Sequence, residues 1–174
     1  MNGPLCEIPQ QVQLGQSAWK MSLEYEAWCE QEPDLAVIAR TAALLMSLLL
    51  DVGDRVVGVE EGGKVRQVRQ LSWGDSSFVL VDILGPEFAE VDGRWTLTAE
   101  MGRRGEALDE LLSLVVVAAA ATVHGGEVVD EPRRLRRRIM SPVELVLALS
   151  RLRTRDPRSL VNGVKVGRDG YPGH

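Results

Sequence analysis

The sequence predicts an α+β fold, in which a mostly antiparallel sheet of four to five strands is covered on one face by about three helices. Between residues 55 and 100, short segments alternate apolar and polar residues and are separated by glycine-containing turns. Two long apolar segments on either side of this region have the length and spacing of helices. With 174 residues and 45% hydrophobic side chains, the chain can bury a core without a disulfide or a metal.

The N-terminal region predicts an arm, a strand and a helix in succession. Residues 1–17 contain Pro and Gln without a clear pattern and predict a loose N-terminal arm. Residues 19–25 alternate as in a strand, although the same stretch also fits helical spacing; we prefer the strand. Pro33 and Asp34 should begin a helix, because Pro is tolerated in a first turn and the helix dipole favours an anion there. This helix should end near Leu50.

The central region predicts an antiparallel meander of four strands. The predicted strands are 55–60, 64–71, 77–84 and 94–100. Glycine residues after the first strand, and a turn over residues 73–76, separate them. The last strand alternates so regularly that one face of the sheet is expected to contact water.

The C-terminal region predicts two further helices around a short strand. A helix over 105–123 is apolar around most of its circumference and should end at the glycines that follow it. Residues 127–130 indicate a short strand. A helix over 141–152 starts with Ser141, Pro and Glu144, the arrangement of a capping box. Residues 1–155 therefore form one predicted domain, and the Pro- and Gly-rich residues 156–174 form a tail or a wrapped extension.

Charge is distributed unevenly along the chain. The net charge is −5, but residues 1–131 carry a net charge of −13 and residues 132–174 a net charge of +8. Such asymmetry is typical of proteins that bind nucleic acid or acidic partners. We prefer a simpler interpretation, in which the basic segment packs against the acidic body and partly neutralises it.

Catalytic motifs are scarce. The chain has two histidines, His124 and His174, and two cysteines, Cys6 and Cys29, without metal-binding spacing. We expect no catalytic residue, no cofactor and no metal site. His124 should play a structural role at a helix end, where the last carbonyls and the helix dipole favour it. The cysteines should be reduced, and a disulfide between them is the alternative for an exported protein.

One phosphate-loop pattern has a better structural explanation. Residues 58–64 match the letters G-x-x-x-x-G-K, but Val65 follows where Ser or Thr would bind magnesium. Glu60 and Glu61 would repel a phosphate, and the next residues alternate as in a strand. We interpret the segment as a hairpin.

Four residues of the meander are candidates for partner binding. Glu60, Glu61 and Asp75 would contribute acidic surface, and changing them to Lys should slow association and reduce its salt dependence. Trp73 would be an interface anchor if it were exposed in its turn. The alternative is that Trp73 folds over the end of the sheet.

Five arginines form the densest cluster of charge. They are Arg133, Arg134, Arg136, Arg137 and Arg138. The cluster could bind nucleic-acid phosphates, but no aromatic residue lies among them to stack on bases, and the acidic body would repel a duplex. We interpret it as an exposed linker and keep partner binding as a second role.

These observations favour a non-catalytic protein-binding module. In size, acidity and lack of catalytic motifs the chain resembles bacterial immunity proteins, which neutralise toxins, and the partner would be a basic toxin or a secreted effector. The alternatives are a secretion chaperone or adaptor, a small enzyme with a carboxylate and arginine site formed only by the fold, and a nucleic-acid binder. We expect a cytoplasmic address and no membrane segment, because residues 1–11 lack the features of a signal peptide.

Overall fold

The computed structural model of the chain describes residues 24–50, 57–61, 69–74, 77–87, 93–101, 106–130, 134–135 and 137–165. The strands are β1 (Glu24–Cys29), β2 (Val57–Glu61), β3 (Arg69–Trp73), β4 (Ser77–Leu84), β5 (Trp95–Met101), β6 (Gly126–Val129) and β7 (Ile139–Met140). The helices are α1 (Leu35–Leu50), α2 (Ala107–Val123), α3 (Pro142–Arg151) and α4 (Pro157–Val164).

The strands form one antiparallel sheet, which confirms the predicted α+β class. Their order is β2-β3-β4-β5-β1-β6-β7. The meander from β2 to β5 pairs each strand with the next in sequence, as predicted. The sheet has seven strands rather than four or five, because β1 enters between β5 and β6 and the two-residue β7 pairs with β6.

The first strand lies later in the sequence than predicted. The structure has β1 at Glu24–Cys29, whereas the alternation indicated residues 19–25, of which 19–23 lie outside the described part. Tyr25, Ala27 and Cys29 are fully buried and point toward the helices. Strand β1 is central because its two neighbours satisfy both of its backbone edges.

Helix α2 forms the core of the helical layer. Its buried face extends from Asp109 to Ala121 without interruption, as expected for a helix that is apolar on all sides. It packs on β1, β4, β5 and β6, with α1, α3 and α4 against its other sides. The Ser113 hydroxyl donates to the Ala99 carbonyl oxygen at 2.7 Å, which fixes the helix to the sheet.

The helix starts lie close to the predicted signals, although α1 begins at Leu35 and Pro33 therefore lies outside its first turn. At α1, the Asp34 carboxylate accepts hydrogen bonds from the backbone N–H groups of Ala36 and Val37 at 2.9 and 3.3 Å. At α3, the Ser141 hydroxyl accepts from the N–H of Glu144 at 3.2 Å, as the capping box predicts.

Helix α4 lies in the region assigned to a tail or a wrapped extension. Asp156 caps it by accepting from the Ser159 N–H at 2.9 Å. Leu160, Val161 and Val164 are buried, and the helix packs against α2 and α3. Residues 157–164 are therefore part of the folded core. None of the helices in the described ranges is long and apolar enough to cross a membrane.

Candidate functional site

The structure describes three of the four predicted partner residues of the meander. Glu60 and Glu61 lie on β2, where they pair with Gln70 and Arg69 of β3. Asp75 lies outside the described residues. Trp73 ends β3 rather than starting a turn, and its side chain is 1% exposed, so the indole is not available at the surface. Of the two interpretations of Trp73, the packed one fits this position.

The arginine cluster does not form one continuous surface in the described part of the chain. Arg133 and Arg136 lie outside it. Arg134 turns inward and lies 3.3 Å from the buried Glu110 of α2. Arg137 forms an exposed ion pair with Glu144 at 3.2 Å. The backbone carbonyl of Arg138 accepts from the Asp130 N–H at 2.7 Å.

His124 connects two helices. It is the C-cap of α2 and is 7% exposed. Its Nε2 atom accepts the backbone N–H of Asp34 at 3.0 Å, which satisfies a donor at the start of α1. His124 therefore has a structural role at the end of a helix, but through a different contact from the one predicted. Its ring accepts a hydrogen bond from the residue that precedes α1, rather than binding the last carbonyls of α2.

The face of the sheet opposite the helices is the first candidate surface. We define the outer face by nine residues of β1, β4 and β5: Glu24, Glu26, Trp28, Phe78, Leu80, Asp82, Leu84, Thr98 and Glu100. The strand register places Glu100 directly opposite Glu24, and Thr98 between Asp82 and Glu26. No described helix packs on this face.

Exposed apolar side chains lie beside these carboxylates. Phe78 and Leu84, at the two ends of the outward row of β4, are 38% and 40% exposed. The Trp28 indole N–H donates to Glu26 Oε2 at 3.3 Å, which holds the indole within the face. Toward β6, Glu127 forms a 2.8 Å ion pair with Arg94. Carboxylates and exposed apolar side chains therefore lie side by side on β1, β4 and β5.

A cleft in the helical layer is the second candidate. The Glu110 cleft has a volume of about 880 Å³ and lies between the first turns of α2 and α4. Its charged lining residues are Glu106, Glu110, Arg134, Asp156, Arg158 and Lys165. The apolar part of its wall is formed by Leu108, Pro157 and Val161.

Glu110 is held at the floor of this cleft by several donors. The Tyr25 hydroxyl donates to its Oε1 atom at 2.9 Å, and Lys165 Nζ donates to Oε2 at 2.6 Å. Arg134 Nη1 lies 3.3 Å from Oε1, at ion-pair distance. Burial, followed by the negative charge of Glu110 and their hydrogen bond, raises the pKa of Tyr25 far above its usual range. Glu110 therefore has a structural role in closing the core.

The sequence analysis missed Glu110, Tyr25 and Lys165. One signal was present: Glu110 directly precedes Leu111 and Leu112 in a helix expected to be buried. A carboxylate at such a position needs a charged or hydrogen-bonding partner. Nothing in the sequence identifies Lys165, 55 residues away, as that partner.

The described residues contain no group of three or more His, Cys, Asp or Glu side chains placed to hold a metal ion. Cys29 is a free thiol in the core, and burial raises its pKa to about 11. Comparisons with protein-family models, with curated proteins and with solved structures found no match to this chain.

Proposed function

We propose that the chain is a protein-binding module that neutralises a basic toxin, in the manner of a bacterial immunity protein, by means of its outer face. The observation that supports this proposal is the pairing of carboxylates with exposed apolar side chains on a sheet face that no described helix covers. Interfaces of this kind combine an apolar centre with charges that steer the partner.

The rigidity of the outer face supports a binding role. Strands β1, β4 and β5 are held on their reverse side by α2, whose Asp109 carboxylate accepts from Ser77 and from the Phe78 N–H at 2.7 and 3.2 Å. Phe78 is therefore presented on a fixed backbone. A preorganised surface loses less entropy on association than a flexible one, which favours tight binding.

The charge distribution supports a basic partner. The first 131 residues carry a net charge of −13, and the outer face lies within them. A nuclease toxin is basic where it contacts phosphates, so an acidic surface can both attract it and block that site. A secreted effector bound by a chaperone is the alternative partner, because it would require the same complementarity.

The test combines capture with charge reversal. Tagged full-length protein would be used to capture partners from native lysate at moderate salt, in parallel with Asp82→Lys, Glu100→Lys and the control Glu32→Lys. Glu32 is exposed and lies outside the outer face. We expect one stoichiometric basic partner, retained by the control and lost or weakened at least about tenfold by each outer-face variant.

Expression of the captured partner then distinguishes neutralisation from escort. A partner that stops growth when expressed alone and is harmless with this chain supports the immunity function. A harmless partner that needs this chain for secretion indicates the chaperone function instead. Equal capture by all three variants would exclude the outer face as the binding surface.

A further inference from the structure

The Glu110 cleft contains cationic groups that the described carboxylates do not fully engage. Arg134 Nη1 is buried and is within ion-pair distance of Glu110 Oε1, but no described residue accepts a hydrogen bond from it. Both oxygens of Glu110 already accept from Tyr25 and Lys165. Arg134 also lines the cleft, and 31% of its side chain is exposed, so the rest of its five-donor guanidinium faces the space in which a further acceptor could bind.

A second arginine lines the same space. Arg158, in the first turn of α4, is exposed. The neighbouring Asp156 carboxylate accepts from both the N–H and the hydroxyl of Ser159 at 2.9 and 2.7 Å, and the charge of Arg158 acts on it less than these hydrogen bonds do. Those two hydrogen bonds lower the pKa of Asp156 and hold its carboxylate at the cap.

The remaining wall carries charges of both signs. Lys165 is only 17% exposed, and its ammonium group pairs with the Glu110 carboxylate, so these two charges offset each other. Glu106, the N-cap of α2, makes no side-chain cap hydrogen bond and is exposed at the rim. It offers an acceptor for hydroxyl groups of a bound molecule.

We infer that the Glu110 cleft binds a small polar molecule through an oxyanion, either a carboxylate or a phosphate group, that contacts Arg134 and Arg158. A planar guanidinium matches both oxyanions, since each can accept two parallel N–H groups. The volume of about 880 Å³ lies within the range of small-molecule sites. The cleft lies in the helical layer, so this site is independent of the outer face and of the proposed partner.

The test is a titration of isotope-labelled full-length protein with inorganic phosphate and, separately, with citrate, at an ionic strength held constant with sodium chloride. The amide resonances of Ala107, Leu108 and Asn162 report on the cleft. We expect saturable shifts at these amides with at least one probe. A response to phosphate alone or to citrate alone identifies the preferred oxyanion, and both results support the site.

Two variants and one control decide whether Arg134 and Arg158 bind the oxyanion. Arg158→Ala removes an exposed charge, and Arg134→Lys keeps the charge but removes the fork. Each should weaken binding about tenfold. Arg151→Ala removes an exposed arginine of α3 outside the cleft and should leave affinity unchanged.

Absence of saturable shifts with either probe would overturn the inference, as would equal affinity of the control and both variants. If Arg134→Lys fails to fold, Arg158→Ala still decides the question, because that side chain is exposed.

Discussion

At the scale of single residues, the Tyr25 hydroxyl connects the centre of the sheet to the buried carboxylate of α2. Tyr25 is fully buried and donates to Glu110 at 2.9 Å. Neither residue could be paired with the other from sequence, because 85 positions separate them. The alternation of β1 indicated that Tyr25 would face one side of a sheet, but only the position of α2 determines what its hydroxyl meets.

Replacing Tyr25 with Phe should reduce stability at neutral pH and alter its dependence on alkaline pH. Loss of the donor to Glu110 should cost about 1–2 kcal/mol at pH 7. Because the folded pKa of Tyr25 is raised, its contribution is complete below the unfolded pKa of about 10 and is lost as pH rises above that value. The variant should therefore lose stability less steeply above pH 10, by up to about 1.4 kcal/mol per pH unit.

Urea unfolding at pH 7 and from pH 9.5 to 11 measures both effects. Cys29, with a pKa of about 11, contributes equally to both proteins and cancels in the comparison. Tyr171→Phe is the matched control for loss of the other tyrosine. Parallel stability curves for the parent and Tyr25→Phe above pH 10 would contradict the proposed burial of the phenol.

At the scale of secondary-structure elements, the glycines after α2 perform two different tasks. Gly125, with φ of +66°, follows the helix C-cap, where the sequence predicted a stop. Gly126, with φ of +148°, begins β6 and lies against the backbone of Trp28 in β1. A Cβ atom on Gly126 would overlap the Trp28 carbonyl oxygen. The close pairing of β6 with β1 therefore requires glycine at this position.

Changing Gly126 to Ala should destabilise the protein by about 3 kcal/mol or more, because backbone rather than a flexible side chain blocks the new atom. Gly93 is the matched control: it also has a positive φ, +72°, but a Cβ atom there would meet no atom of the described residues within 4 Å. Gly93→Ala should cost about 1–2 kcal/mol from backbone strain alone. Thermal or urea unfolding of both variants measures the difference, and equal losses would show that the contact with β1 is unimportant.

The predicted elements agree best with the structure where local signals define them. Helices expected at 34–50, 105–123 and 141–152 are found at 35–50, 107–123 and 142–151, because capping residues and apolar spacing act within a few positions. Strand β7 was missed because two residues show no period and form a strand only by pairing with β6. Helix α4 was missed because Pro157 and Gly163 suggested a loop, although Pro is compatible with a first turn.

At the scale of the whole molecule, the C-terminal residues complete the helical layer. Leu160 and Val161 of α4 are each 1% exposed, and Lys165 satisfies Glu110. Lys165 also forms a bridge with Leu135, so the end of α4 is tied to the segment that follows β6. This arrangement brings part of the basic C-terminal quarter against the acidic body, as the charge asymmetry suggested.

Deleting residues 156–174 should therefore strongly destabilise or unfold the protein. The deletion exposes the apolar surface that α4 covers and leaves Glu110 buried without Lys165, and removing one partner of a buried ion pair alone costs about 3–5 kcal/mol. Deleting residues 166–174 keeps α4 and Lys165 and isolates their contribution. Circular dichroism and urea unfolding compare the two proteins, and a stable, cooperatively folded 1–155 fragment would show that α4 is dispensable.

The sequence by itself determined the α+β class, the limits of three helices, the meander and the excess of acidic charge, because periodicity, caps and composition are local properties. Tertiary structure decided the central position of β1, the burial of Trp73 and the inward direction of Arg134. It also decided that Tyr25, Glu110 and Lys165 meet and that a cleft opens between α2 and α4. These features depend on contacts between residues far apart in sequence, which no local pattern specifies, since each side chain could have found other partners of the same chemistry.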